Sequence, residues 1–199
     1  VEKYFKEIDN GFYVDLGCYH PIQHNNTILL YQKGWRGINI DINEFSIKLF
    51  NFCRPDDLNL NLAVSDKNGE IDFYYQKKLS VLSTIKKSRC NFAFQGKINK
   101  KKILSQTLTK VLDDSKYKDK QIDFLDIDIE GADLDALKSL DFSRYSPKLI
   151  CVEIFPENMD FNNINNINIE KSDIYNFLKV KNYQKIWSGI FNHIFVRNL

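Results

Sequence analysis

Ile122 to Gly131 reads IDFLDIDIEG, a run of apolar β-formers with an acid at every second late position. Ile122, Phe124, Leu125, Ile127 and Ile129 supply the apolar residues, and Asp126, Asp128 and Glu130 supply the acids. Strand side chains alternate between faces, so a strand that runs to its end puts all three carboxylates on one side. Gly131 ends the run, and ADLDALKSL continues as a helix, expected over Ala132 to Leu140. Carboxylates at the C-terminal lip of a central strand sit where open α/β sheets bind ligands.

Working outward, the same alternation of strand and helix recurs. GFYVDLG (Gly11 to Gly17) reads as a buried strand entering a turn, and Asn26 to Lys33 has helical spacing. Gly34 stops that helix, and WRGINID (Trp35 to Asp41) is a second strand ending in an acid. A short helix follows at Glu44 to Phe52, and LNLNLAV (Leu58 to Val64) alternates as a third strand. Glu70 to Gln76 is an aromatic-rich strand. Lys77 to Lys102 reads as irregular or weakly helical, Leu104 to Leu108 as a short strand and Thr109 to Lys116 as a short helix. After the acidic strand come a strand at Lys148 to Phe155, a helix at Ser172 to Val180 with Ser172 as N-cap, and a closing antiparallel hairpin, Tyr183 to Ser188 with His193 to Arg197. Strands alternating with helices indicate an α/β fold, a mostly parallel sheet with helices on both faces. No internal repeat is visible. One domain over 1–199 is expected, with a basic insertion at 77–102 and an Asn-rich loop at 156–170.

Composition narrows the class. The chain of 199 residues is 43% hydrophobic and 27% charged, in the globular range. There is no apolar run of about 18 residues, so no membrane span is expected. The N-terminal segment lacks the apolar core of a signal peptide. Four scattered cysteines and three histidines fit reduced thiols in a cytoplasmic protein better than a disulfide frame or zinc site. Net charge is +2, unevenly placed: Phe73 to Leu112 carries ten Lys or Arg and no acid. That stretch reads as a solvated surface or as a basic rim that draws an anionic acceptor, with Lys86, Lys87 and Arg89 at its centre.

The first two strands carry a nucleoside signal. Asp15 lies at the first turn, and Asp41 closes the next strand 26 residues on (41 − 15). An acid at that second strand end accepts hydrogen bonds from ribose hydroxyls. Dinucleotides and S-adenosylmethionine both carry that ribose. A dinucleotide turn wants G-x-G-x-x-G to seat a pyrophosphate, whereas here only Gly17 is present, with Tyr19 and Pro21 following. S-adenosylmethionine has no phosphate, and its methionine end wants an acid and polar groups, which Asp15, His20, Asn26 and Thr27 supply. A nicotinamide dehydrogenase is disfavoured by the missing glycines.

VDLGCYHPIQHNNTILLYQKGWRGINIDIN (Val14 to Asn43), LAVSD (Leu62 to Asp66), FLDIDIEGADLDALKSLDF (Phe124 to Phe142) and NHIFVRN (Asn192 to Asn198) together resemble the FkbM-type methyltransferase family. The resemblance runs from about Gly11 to Asn198. It implies a Rossmann-like class I methyltransferase fold with a seven-stranded, mostly parallel sheet and a C-terminal antiparallel hairpin. It further implies O-methylation with S-adenosylmethionine as cofactor, of sugars in polysaccharide biosynthesis or of secondary-metabolite hydroxyls. On this resemblance Asp15, Gly17, Tyr19 and Asp41 become cofactor residues. Ile42 flanks the adenine, Ala63 and Val64 bring backbone to it, and Asp126 or Asp128 borders the methionine end. The family turn is usually richer in glycine, and its members more often carry Lys where Asp126 stands.

Methylating a hydroxyl needs the oxygen placed near the methyl and its proton removed, by a general base or a divalent metal. Asp128 and Glu153 end neighbouring strands, about 4.8 Å apart in a sheet, so they can converge. With Glu130 they form an oxygen set suited to Mg²⁺ or Mn²⁺, placed in strand position like the metal site of catechol-type O-methyltransferases. The alternative is that Glu130 and Glu153 bind substrate hydroxyls or cap helices. His20 is the histidine expected in the pocket, and His193 either contacts substrate or is structural. Nucleic acid as substrate is disfavoured: no Asn or Asp followed by two prolines and an aromatic appears after the acidic strand. The competing reading from a different class is a non-catalytic Rossmann-like binding module.

Overall fold

The computed structural model describes residues 1, 3–77, 79–80, 82–155 and 169–198. The Asn-rich stretch from Asn158 to Asn168 lies outside them. Five strands form the expected frame: β1 (Phe12–Leu16), β2 (Arg36–Asp41), β3 (Leu58–Asn61), β7 (Phe124–Ile127) and β8 (Leu149–Glu153). They pair in parallel, and β9 (Tyr183–Ser188) and β10 (Asn192–Arg197) close the sheet as an antiparallel hairpin. The order is β3-β2-β1-β7-β8-β10-β9, seven strands as expected.

Helices cover both faces. α1 (Ile28–Gln32) and α2 (Glu44–Cys53) lie on the face carrying Tyr13, Trp35, Phe124 and Leu149. α4 (Leu108–Asp113), α5 (Asp133–Lys138) and α6 (Asp173–Val180) bury Leu108, Leu112, Leu137 and Leu178 against Val14, Ile38, Leu125 and Ile150 on the other. Side chains close helix N-termini at Asn43, Thr107 and Ser172, each accepting from a backbone N–H two or three residues on. Each such cap stabilises its helix by about 1 kcal/mol.

Three expectations need correction. Leu58 to Val64 is not one strand: β3 ends at Asn61, and β4 (Ala63–Val64) joins a separate three-stranded sheet of order β4-β6-β5. In that sheet β5 (Gly69–Tyr75) runs antiparallel to β6 (Asn99–Gln106). The basic stretch is therefore ordered at its end, since β6 begins at Asn99, and it also contains helix α3 (Lys87–Ala93). The start of β6 showed no alternation because it is exposed along Lys100 to Lys102, and its lysines pair with acids of β5. Finally, β7 stops at Ile127, so Asp128 and Glu130 lie beyond the strand and strand alternation does not position them.

The strand order reverses between β1 and β7, whose neighbours lead away in opposite directions. This is the switch point at which open α/β sheets leave a crevice at their C-terminal edge.

Candidate active site

Gly17 shapes that crevice. Its φ is +79°, and a Cβ placed there would lie 1.8 Å from the backbone oxygen of Asp128. The end of β1 is stitched to both neighbours here: Asp128 N, just past β7, donates to Leu16 O at 3.0 Å, and Gly17 N donates to Ile40 O of β2 at 2.9 Å. Tyr19 and Glu130 also take positive φ, at 52° and 53°. Non-glycine residues in this conformation cost free energy and concentrate at functional sites.

A cavity opens over this edge. Gly17, Tyr19, Asp41, Ile42, Ala63, Val64, Asp128 and Glu130 line it, together with Ile40, Leu62, Ser80, Ser83 and Ile85. Asp41 sits at the end of β2, its carboxylate accepting from Tyr19 N at 2.8 Å and Asn43 N at 2.7 Å. Burial pushes its pKa up to about 6, against the pull of those two hydrogen bonds. The walls beside it, at Ile42, Ala63 and Val64, are apolar.

Four residues expected at the cofactor, Asp15, Asn26, Thr27 and Asp126, do not line this cavity and share a hydrogen-bonded polar layer. Asp15 accepts from Thr27 Oγ1 at 2.7 Å and Asn25 Nδ2 at 3.0 Å, and Asp126 accepts from Asn26 Nδ2 at 3.0 Å. Burial raises the pKa of both acids. Arg54 closes the layer. It is 1% exposed and donates to Thr27 Oγ1, Asn25 Oδ1 and Pro21 O. Asp57 sits beneath, accepting from Tyr13 OH, Gly37 N and Asn39 Nδ2. Sequence reading missed Arg54 and Asp57; their one trace is the run Arg54-Pro55-Asp56-Asp57 just after a helix.

At the other end, Asp128, Glu130 and Glu153 do converge: one carboxylate oxygen from each lies within 4.8 Å of the others. Glu130 arrives through a turn whose shape Asp133 holds, accepting from Ile129 N and Gly131 N. Thr84 Oγ1 clips Glu130 O from the far side at 2.9 Å. Burial, then the Asp128 charge, pushes the Glu130 pKa up to about 7. Burial and the surrounding acids push Glu153 well up, and burial raises Asp128, which shares a hydrogen bond with Glu153. Arg89 is the cation at this cluster, 3.6 Å from Glu130 Oε2 and stacked 4.0 Å over the Phe155 ring.

The remaining expected residues lie elsewhere. His20 Nδ1 accepts from Ile22 N and Gln23 N in its own turn, and His20 is not among the residues lining the cavity. His193 is 2% exposed, and its position in register with Val152 turns it to the face opposite Glu153. Burial lowers its pKa to about 4, so it is a neutral core histidine. Lys86 pairs with Asp135, and Lys87 is exposed. Of the three basic candidates only Arg89 reaches the acids. Ser80, Ser83 and Ile85, which line the cavity, carried no sequence signal, because their stretch has no periodicity.

The model of the methyltransferase FkbM domain matches residues 15–185. The chain belongs to the FkbM methyltransferase family. No curated protein and no solved structure gives a significant match. Within the FkbM domain fall both cavity ends, the Gly17 turn and the acid cluster, and the match stops inside β9. Among the described residues no helix is long and apolar enough to cross a membrane.

Proposed function

We propose that this FkbM-family chain is an S-adenosylmethionine-dependent O-methyltransferase. Its acceptor is a hydroxyl of a sugar, sugar phosphate or glycan precursor. One observation carries the reading: a single cavity joins Asp41, at the ribose position with apolar walls beside it, to Asp128 and Glu130 at its opposite wall. The donor set fits the cofactor, with a ribose-accepting carboxylate, a glycine turn of close approach and no pyrophosphate cradle. Four free cysteines support a cytoplasmic site of action.

S-adenosylmethionine, when bound, supplies an electrophilic methyl on a sulfonium. The chain's own residues then have three tasks. Asp41 and the walls at Ile42, Ala63 and Val64 hold the nucleoside. Glu130, which lines the cavity, accepts hydrogen bonds from acceptor hydroxyls, which are donors suited to a carboxylate. Asp128 takes the proton of the reacting hydroxyl as the new carbon–oxygen bond forms and the carbon–sulfur bond breaks. A polyhydroxylated acceptor suits this cluster better than an anion, since Lys86 and Arg89 are already engaged with acids.

The test is calorimetry with S-adenosylhomocysteine on the wild type and Asp41→Asn. Saturable binding by the wild type, weakened roughly tenfold in the variant, is expected, since a charged hydrogen-bond acceptor is worth about 1.5–3 kcal/mol. Absence of binding by the wild type removes the reading. Transfer of labelled methyl to a panel of nucleotide sugars and free sugars then identifies the acceptor.

A further inference from the structure

We propose that Asp128, Glu130 and Glu153 bind one divalent cation of the Mg²⁺ or Mn²⁺ class, which holds the acceptor oxygen. Its role at the acceptor rests on the O-methyl-transfer reading; its binding does not.

Two separate observations point to it. The first is the convergence of three oxygens within 4.8 Å, drawn from two strand ends and a turn. An ion with bonds of about 2.1 Å spans about 4.2 Å between opposite ligands, so a slight closure of the carboxylates completes the set. The second is that Glu153 Oε2 has no hydrogen-bond partner, although Glu153 is 7% exposed. An orphaned carboxylate oxygen in a buried place is costly, and a cation is the ligand that relieves it.

The ligands are all oxygen, the chemistry of a hard cation and not of zinc or copper. Three protein oxygens leave positions for water and for the acceptor. An acceptor hydroxyl on the ion would lose its proton more readily, which is the chemistry a sugar hydroxyl lacks at neutral pH. A proton shared between Asp128 and Glu153 is the competing occupant of the same space, and metal titration separates the two.

The experiment is Mn²⁺ titration of the chelator-treated full chain, followed by electron paramagnetic resonance. Glu153→Gln and Asp128→Asn are titrated alongside. The expected result is one saturable site in the wild type, weakened at least tenfold in each variant. No saturable site in the wild type overturns the proposal whatever the variants do. So does wild-type affinity retained in both variants. S-adenosylhomocysteine calorimetry on the same samples reports folding and keeps the two ideas apart. Binding of the nucleoside without Mn²⁺ sinks the metal alone. Binding of Mn²⁺ without the nucleoside sinks the cofactor reading and the ion's role at the acceptor, leaving the ion site.

Discussion

At the scale of single residues, the site depends on one atom that is missing. Gly17 and Gly96 have nearly the same φ, +79° and +86°, so alanine suffers similar backbone strain at either. They differ in what the new Cβ meets. At Gly17 it meets the Asp128 backbone oxygen at 1.8 Å, and at Gly96 it meets nothing within 4 Å. Gly96→Ala is expected to cost about 1 kcal/mol, the left-handed penalty alone. Gly17→Ala is expected to cost about 3 kcal/mol or more, because β1 and β7 must separate to admit the methyl. Urea unfolding of the two variants measures the difference. Equal losses would mean that the strand ends part easily and that the close approach is not needed. Spacing in the sequence singled out Gly17 and Asp41 as candidates for a nucleoside turn. It could not show that Asn26 would bind Asp126, or that Arg54 would brace the Thr27 hydroxyl bound to Asp15, because those contacts join residues 100 and 27 positions apart.

At the scale of elements, legibility followed burial. β1, β2, β7 and β8 are almost wholly buried, and their apolar runs announced them. β6 is half exposed and lysine-rich, and its partner β5 decides its existence more than its own residues do. The stretch between them had no readable pattern, yet its Ser80, Ser83 and Ile85 supply a wall of the cavity. Thr84 is what ties it down. Its side chain is fully buried, donates to Glu130 O and accepts from Lys86 N at 3.0 Å, while its backbone bridges Tyr74. Thr84→Val keeps the shape and the bridge but leaves two buried polar groups unpaired, at a cost of about 2 kcal/mol. Faster amide exchange at residues 84–86 and weaker S-adenosylhomocysteine binding are expected together. Exchange and affinity both unchanged would show that the stretch is held by its bridge to Tyr74 alone.

At the scale of the whole molecule, the fold gathers acids at one edge of its sheet and leaves most of its basic residues elsewhere. Asp15, Asp126, Glu130, Asp133 and Glu153 are all buried there, with Arg54 and Arg89 as the guanidinium groups among them. Such an arrangement gives stability an unusual dependence on pH. Asp41 is pushed up to about 6 and Asp133 to about 7, both chiefly by burial. Between the ordinary Asp value of about 3.9 and those raised values, the folded state holds protons that the unfolded state has released. Stability therefore falls as pH rises across that window, and Glu153, raised further still, keeps the slope negative beyond it. Below it the sign reverses: Arg144 holds the Asp113 carboxyl under the ordinary range, and its contribution is lost as pH falls further. Thermal melts of the ligand-free chain should thus peak near pH 4 to 5 and decline by several degrees toward pH 7.5. Asp133→Asn should flatten the upper half of that decline, since the amide has no proton to release, although it surrenders one of the carboxylate's two turn contacts. A melting temperature that instead rises steadily from pH 5 to 7.5 would show that these acids are ionised and paired in the folded chain. The acid-rich edge would then be a set of satisfied ion pairs and not the charge-deficient pocket that a cationic cofactor and a divalent ion would complete.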